Sequence, residues 1–182
     1  PHFNKWGVLL ATLLGSFTVF LNNSMMNVAL PVFMQLFDRN AADAQWVITG
    51  FMIALVISMT LTGYLGNRLG HKNIYLIGMC IFLFGSIMGS MGWDFWSIVF
   101  ARVLQGLGGG IVMPLTMVII FQHFPLNERG LATGIWGIAS MVAPAVGPTL
   151  GGFVLKVSNW NTLFLLNIPS GLICIFCIIY FL

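Results

Sequence analysis

Charge is the scarcest property of this sequence. Lys and Arg number seven and Asp and Glu number four among 182 residues, so that 6% of the chain is charged while 59% is hydrophobic. With a mean hydropathy of +0.99, the chain has too little polar surface to cover a soluble domain of this length. The cations are scattered singly rather than in a run, which excludes a nucleic-acid-binding patch.

Reactive groups are equally scarce. The three cysteines, Cys80, Cys174 and Cys177, lie in apolar stretches where they pack as small hydrophobic side chains, and their spacing matches neither a disulfide framework nor a metal site. The apolar stretches contain no paired nucleophile and base, and no phosphate-binding glycine loop is present. The sequence therefore predicts a protein that is not an enzyme and uses no metal or cofactor.

Long apolar runs dominate the rest of the chain. Six of them are long enough to cross about 30 Å of hydrocarbon as a helix, which takes around 20 residues. They lie near residues 6–33, 45–64, 73–92, 95–121, 131–155 and 162–182. Transmembrane β-strands would instead be segments of about ten residues that alternate polar and apolar side chains, a pattern this chain lacks. We therefore predict an all-α integral membrane protein, a bundle of six transmembrane helices.

The few charges set the orientation of the predicted bundle. Lys5, the segment Arg68–Lys72 and Arg129 fall on one side of the membrane, whereas Arg39 and Lys156 fall on the other. Because Lys and Arg concentrate in cytoplasmic loops, this distribution predicts a multi-pass protein of the plasma membrane with both ends of the chain in the cytoplasm. Four tryptophans lie near the predicted outer ends of the spans, as interfacial anchors do: Trp46, Trp93, Trp96 and Trp160.

The connection between the second and third spans reads GYLGNRLGHK. Its glycines permit a tight turn and close helix approach, and its cations face the cytoplasm in the predicted topology. Any cytoplasmic loop collects cations, but the spacing GxLxxRxGxK resembles the signature loop of the major facilitator superfamily. The resemblance implies that five residues belong to a cytoplasmic gate: Gly63, Asn67, Arg68, Gly70 and Lys72.

The fourth span contains RVLQGLG from Arg102 to Gly108, which resembles the RxxQGxG motif of the same family. Arg102 is the only charged residue within any predicted span. A cation inside a membrane is costly unless it faces protein or a water-filled cavity, so we predict that Arg102 supports polar contacts in a substrate cavity, with Gln105 one turn later. The alternative is an arginine that only joins helices by binding backbone carbonyl groups.

Two further resemblances lie in the fifth and first spans. The fifth contains APAVGPTLGG, which resembles the GPxxGG motif of antiporter branches, and the first ends in LNNSMMNVALP over residues 21–31, which resembles the LDxTxxNVALP motif of the fourteen-helix drug/proton antiporter branch. Pro148 removes a backbone donor, and Gly147, Gly151 and Gly152 permit close packing, so the fifth helix is predicted to bend at a helix interface. A generic packing helix is the alternative for this span taken alone.

Together these resemblances imply the fold and function of the family. That fold consists of two six-helix bundles with the substrate bound between them near the midplane, so we expect this chain to be the N-terminal bundle and its partner to be a C-terminal bundle that is absent here. The leading hypothesis is export of hydrophobic or amphipathic drugs or other small molecules by proton antiport, with the proton gradient as energy source and lipid around the bundle. The alternatives are export of a lipid, siderophore or metabolite, and a non-transporting membrane receptor or scaffold.

Two acidic positions of the family pattern are amides in this chain. Asn22 replaces the aspartate of the first-span motif, and Asn67 replaces the loop aspartate that in the family helps to hold the two bundles together. An asparagine accepts hydrogen bonds but does not titrate. Because no Asp, Glu or His lies well inside any predicted span, a proton-carrying carboxylate is expected in the other bundle.

The first span also carries a stripe of amides. Asn23 and Asn27 are four residues apart and share a helix face. This face either lines the cavity, together with Asn22, or forms hydrogen bonds between helices. A further candidate is an adaptable apolar pocket made of Met25, Met26, Met113, Met141 and Trp136.

Overall fold

The computed structural model describes residues 4–182 and has eight helices in that range. They are α1 (Lys5–Leu36), α2 (Ala41–Ala44), α3 (Trp46–Leu69), α4 (His71–Ser90), α5 (Phe95–His123), α6 (Arg129–Val157), α7 (Asn161–Leu165) and α8 (Asn167–Phe181). The short helices α2 and α7 directly precede α3 and α8, so six segments are long and apolar enough to cross a membrane. The predicted fold class, an all-α membrane protein with six spans, is confirmed.

The turn between α3 and α4 is shorter than the sequence indicates. The segment predicted as a loop is almost entirely helical, because α3 continues to Leu69 and α4 begins at His71. Only Gly70 separates them, and its φ of 89° is a conformation that favours glycine. Three residues of the predicted gate loop, Gly63, Asn67 and Arg68, therefore lie in α3 itself.

Caps and ion pairs define the two ends of the bundle. At the end that we call the Lys5 end, the Asn4 side chain accepts the Trp6 N–H at 3.1 Å, and Lys5 forms an ion pair with Glu128, just before α6. At the opposite end, the Trp96 end, Asp94 caps α5 by accepting the Ser97 N–H at 2.7 Å. The four tryptophans predicted as anchors lie towards this Trp96 end, at or beside helix ends: Trp46, Trp93, Trp96 and Trp160.

Glycines allow α5 to pack closely against both α3 and α4. A Cβ at Gly106 would overlap the Phe51 carbonyl oxygen of α3, and a Cβ at Gly108 would overlap the Gly78 carbonyl oxygen of α4. Helix α1 also packs against α5, and it contacts α6 and α8. Polar side chains of α1 and α5 are thereby brought into the bundle interior.

Candidate functional site

Arg102 on α5 is completely buried, with 0% of its surface exposed. Its Nε donates to the Val47 carbonyl oxygen, one terminal nitrogen donates to Gln105 Oε1 and the other donates to Asn23 Oδ1, each at 2.9 Å. The guanidinium also lies over the Phe51 ring, 4.2 Å from its centroid, in a cation–π arrangement. All of these partners are neutral, and no carboxylate pairs with Arg102 within residues 4–182. Its charge is therefore solvated by hydrogen bonds but not cancelled.

Gln105 connects Arg102 to a network of amides and a hydroxyl on other helices. Gln105 Oε1 also accepts from Asn22 Nδ2 at 3.2 Å, and Gln105 Nε2 donates to Ser86 Oγ at 2.9 Å. Asn167, the first residue of α8, donates to Asn22 Oδ1 at 2.7 Å and to Ser86 Oγ at 3.3 Å. These side chains are buried, so their mutual hydrogen bonds offset a desolvation cost that each would otherwise carry. We call Arg102, Gln105, Asn22, Asn23, Ser86 and Asn167 the polar network.

The three amides of the first-span motif occupy different environments. Asn22 is buried in the polar network, Asn23 is half-buried and Asn27 is exposed. The Asn27 side chain donates to the Asn23 carbonyl oxygen at 3.2 Å, so it remains within its own helix. Of the three, Asn23 alone contacts Arg102 and also reaches the surface.

An open pocket of about 300 Å³ lies beside Asn23. Its remaining lining is apolar and comes from α1, α3 and α5: Phe20, Phe51, Met52, Leu55, Val56 and Met113. Phe51 therefore has two roles, since one side chain both lines the pocket and contacts Arg102. The pocket is thus an apolar surface with one amide, and the buried cation lies directly behind that amide. We call it the Asn23 pocket.

The methionines considered as one pocket differ in their surroundings. Met113 lines the Asn23 pocket, whereas Met25 and Met26 are completely buried and Met141 is exposed.

The predicted gate residues lie at the Lys5 end. Arg68 is exposed and donates to the Tyr64 hydroxyl at 2.9 Å, and Lys72 donates to the Ile179 carbonyl oxygen of α8 at 3.4 Å. The exposed Asn67 side chain has no hydrogen-bond partner within the described range. None of these side chains contacts the polar network in residues 4–182, so the two predicted groups of site residues are separate.

The residues of the fifth-span motif divide between two surroundings on α6. Gly147 and Gly151 lie against α1, where a Cβ at Gly147 would overlap the Ser24 side chain and one at Gly151 would approach Met25 Cα at 3.3 Å. Pro148 is exposed, and a Cβ at Gly152 would meet nothing within 4 Å among the described residues. The motif therefore packs α6 against α1 through Gly147 and Gly151.

Hydroxyl groups from neighbouring helices replace the backbone N–H donors that two of the prolines lack. Pro148 has no N–H to donate to the Pro144 carbonyl oxygen one turn earlier, and Ser24 of α1 donates its hydroxyl to that oxygen at 3.0 Å. Likewise, Pro114 leaves the Gly110 carbonyl oxygen without its helical donor, and a hydroxyl of α3, that of Thr62, donates to it at 3.1 Å. Each carbonyl oxygen that a proline leaves without its helical donor is thereby hydrogen-bonded to another helix.

Sequence reasoning did not identify every member of these arrangements. Asn167 offered a signal, since it is an amide in an apolar span, whereas Ser86 is one small residue among many in α4. Ser24 and Thr62 offered none, because serine and threonine commonly bond within their own helix.

Comparison with known proteins identifies the family. The sequence profile described as the Major Facilitator Superfamily matches residues 12–182. The uncharacterized MFS-type transporter YhcA of Bacillus subtilis is 36% identical over 94% of this chain and 32% of its own length. The riboflavin transporter RibZ of Clostridioides difficile is 35% identical over 98% of this chain and 39% of its length. The multidrug export protein EmrB of Haemophilus influenzae is 32% identical over 94% of this chain and 34% of its length.

A solved structure has a similar fold. The xylose transporter XylE from E. coli, in its inward-open conformation, superimposes with a TM-score of 0.84 over 97% of this chain and 48% of that chain, at 16% sequence identity. This likeness shows the fold. The chain spans only about a third to two fifths of the length of the curated relatives it matches. Because the family profile covers the chain from α1 to its last residue, we conclude that this chain belongs to the Major Facilitator Superfamily of membrane transporters.

Proposed function

We propose that this chain is the N-terminal half of a secondary transporter that exports hydrophobic or amphipathic small molecules, drugs among them, in exchange for protons. The observation that carries this proposal is the Asn23 pocket, an apolar and partly aromatic surface with a single amide and a buried polar network behind it. Ligand sites combine largely apolar walls with a few well-placed polar groups, and flexible methionines such as Met52 and Met113 adapt to varied ligands. A relative named for multidrug export supports this substrate class.

The second half of the transporter would supply the opposite wall of the pocket. Only α1, α3 and α5 contribute side chains to the pocket within residues 4–182, and it is open on one side. Transporters of two bundles move substrate by rocking about a site between them. In this arrangement Arg68 and Asn67, exposed at the Lys5 end, belong to the gate, and the Lys5 end faces the cytoplasm of a plasma membrane protein.

Proton coupling would depend on a carboxylate outside this chain. All four acidic residues lie at or beyond helix ends, away from the interior of the spans: Asp38, Asp43, Asp94 and Glu128. Intramembrane proton relays are usually built from Asp, Glu or His side chains. The proton gradient would therefore act on the second half, while Arg102 and Gln105 organise the substrate side of the site.

A metabolite exporter is the second candidate. It is favoured by the relative named as a riboflavin transporter, which matches this chain over 98% of its length. Riboflavin itself is therefore a necessary compound in any test.

The test uses the full-length transporter reconstituted in proteoliposomes with an imposed pH gradient. We expect gradient-dependent movement of amphipathic aromatic dyes, which stops when a protonophore collapses the gradient. Arg102→Ala removes three hydrogen bonds and leaves Asn23 Oδ1 without its donor, at about 1–3 kcal/mol for an unpaired group, and should lower the transport rate by about tenfold or more. The matched control is Arg39→Ala, which removes a half-buried arginine near the Trp96 end that lies outside the polar network.

Three results would contradict parts of this proposal. Movement of riboflavin but of no dye would favour the metabolite exporter. No gradient-driven movement of any compound would refute secondary transport by this protein. Unchanged transport in Arg102→Ala would remove the proposed role of the polar network.

A further inference from the structure

We infer that the side-chain amide N–H groups of Asn23, held in place by Arg102, are the hydrogen-bond donor that selects ligands in the Asn23 pocket. The ligands it selects are aromatic or apolar molecules with a neutral or anionic acceptor oxygen, in preference to cations. The inference rests on the proposed function, because it treats the pocket as a substrate site.

The first argument is the orientation of the Asn23 amide. Its Oδ1 accepts from an Arg102 terminal nitrogen at 2.9 Å. The flipped amide would place two donors against each other, since a guanidinium has no acceptor, so Arg102 permits one orientation only. Asn23 Nδ2 then carries two N–H groups, and neither donates a hydrogen bond within residues 4–182. The hydrogen bond from Asn27 goes to the backbone carbonyl oxygen of Asn23 and does not involve Nδ2. Asn23 is half-buried and lines the pocket, so this donor is available to a ligand.

The second argument is charge. Arg102 is completely buried, and its acceptors, Val47, Gln105 and Asn23, are all neutral. Its charge therefore remains uncancelled inside a medium of low dielectric constant, where Coulomb interactions are strong. The hydrogen bond from Arg102 polarises the Asn23 amide and strengthens Nδ2 as a donor. A carboxylate or carbonyl oxygen at Nδ2 gains from this field, whereas an ammonium group in the same place meets both a donor and a like charge.

The third argument is the rest of the pocket wall. The other lining side chains are apolar and include the rings of Phe20 and Phe51. An acceptor oxygen on a ligand therefore finds a single side-chain partner in this half of the site. When a buried site offers one polar group, ligands that fail to bond with it leave it unpaired, and that penalty is what discriminates between them.

The experiment measures binding of three probes that share one ring system. They are 2-naphthoate, 2-naphthamide and 2-naphthylmethylammonium, which differ mainly in the charge and hydrogen-bonding character of one small group. Binding is measured by equilibrium dialysis against the full-length transporter in nanodiscs, with empty nanodiscs to subtract partition into lipid. We expect the naphthoate and the naphthamide to bind about three- to tenfold more tightly than the ammonium probe, the range that one hydrogen bond provides.

Asn23→Asp is the sharpest variant. It keeps an oxygen for Arg102, and so preserves the helix contact, but it replaces the donor by an acceptor and cancels the cation's charge. The order of the probes should therefore reverse, with the ammonium probe bound most tightly. Asn23→Leu should bring the naphthamide to within about twofold of the ammonium probe, since the donor is lost, while the naphthoate keeps part of its preference because the charge of Arg102 remains. Thr60→Val is the matched control, because it removes an exposed hydroxyl of α3 that lies outside the pocket lining.

The outcomes separate this inference from the proposed function. An unchanged order of the probes in Asn23→Asp, tighter binding of the ammonium probe to the unaltered protein, or no binding of the naphthoate and naphthamide would each overturn it. A melting temperature of Asn23→Asp within a few degrees of the parent shows that its result does not come from misfolding. Export driven by a pH gradient is measured separately, so transport without the Asn23 effect refutes only the inference, and the Asn23 effect without transport refutes only the proposed export.

Discussion

Replacing Ser24 by alanine should cost about 1 kcal/mol of stability while Pro148 is present and almost nothing once Pro148 is itself replaced by alanine. The Ser24 hydroxyl donates to the Pro144 carbonyl oxygen at 3.0 Å. In a regular helix that oxygen would accept the N–H of residue 148, which proline lacks. Pro148→Ala returns this N–H, so the carbonyl oxygen no longer needs the hydroxyl.

The expected magnitude follows from the surroundings of this hydrogen bond. Ser24 is 8% exposed, so water offers little replacement when the hydroxyl is removed. A net hydrogen bond contributes about 0.5–1.5 kcal/mol in proteins, and bonds between membrane helices average about 0.6 kcal/mol. The coupling energy of the double-mutant cycle should therefore lie between about 0.5 and 1.5 kcal/mol.

The measurement is reversible unfolding of the full-length protein in mixed micelles of a mild detergent and dodecyl sulfate. Ser140→Ala is the matched control on α6, because its hydroxyl donates to the Gly137 carbonyl oxygen of its own helix at 2.8 Å and should show no coupling to Pro148. A cost of Ser24→Ala that is equal in the two backgrounds would refute the reasoning. The Thr62 cycle with Pro114 should give a smaller value, since the Thr62 hydroxyl also donates to the Ser58 carbonyl oxygen at 2.6 Å.

Two further predictions concern packing. Gly106→Ala should destabilise the protein by about 1–3 kcal/mol or more, because the new Cβ would overlap the Phe51 carbonyl oxygen. Gly63→Ala is the control, because its Cβ would meet no described atom within 4 Å, and it should be neutral or slightly stabilising. Similar melting temperatures for Gly106→Ala and Gly63→Ala in detergent would contradict the close contact between α3 and α5. The buried Nε1 of Trp136 has no hydrogen-bond partner within residues 4–182. Trp136→Phe should therefore cost less than about 1 kcal/mol in the same assay, and a larger loss would contradict this expectation.

Helix ends were predicted less well than helix existence. Hydropathy identifies a span by its apolar side chains, and it therefore stops near Tyr64, where the residues become polar. Backbone hydrogen bonds do not depend on side-chain polarity, so α3 continues through Asn67 and Arg68 to Leu69. The residue that ends it is Gly70, at a positive φ. A glycine in a polar segment is a better marker of the turn than the change in hydropathy.

Arg102 shows what sequence can reveal about the site. A lone charge in an apolar run needs partners, and two predicted site residues, Gln105 one turn away and Asn23 on α1, do bond to it. The other partners, the Val47 carbonyl oxygen and the Phe51 ring, come from α3 and depend on how closely α3 approaches α5. Its role in transport stays a prediction.

The more distant part of the polar network could not be predicted from spacing. Asn22 and Asn167 bond at 2.7 Å across 145 residues of sequence, and this pairing depends on the packing of α8 against α1. Periodicity assigns a residue to a face of its own helix, but it does not say which other helix that face meets. Ser86 likewise gains its role from the approach of Gln105 and Asn167.

The interior of the spans within residues 4–182 holds no carboxylate and no imidazole, which bears on the proposed proton coupling. Antiport requires that proton and substrate exclude each other, and the middle of the six spans within residues 4–182 offers no Asp, Glu or His that could bind the proton. An arginine does not release its proton under physiological conditions. In the proposed mechanism Arg102 and Asn23 therefore present a constant positive field and a constant donor to the substrate. In the proposed mechanism the change that drives the cycle must come from the opposite wall, where a carboxylate would bind either the proton or a donor group of the substrate. The affinity of the Asn23 pocket for its ligand would then fall when a different bundle binds a proton, which is the coupling between sites that antiport requires.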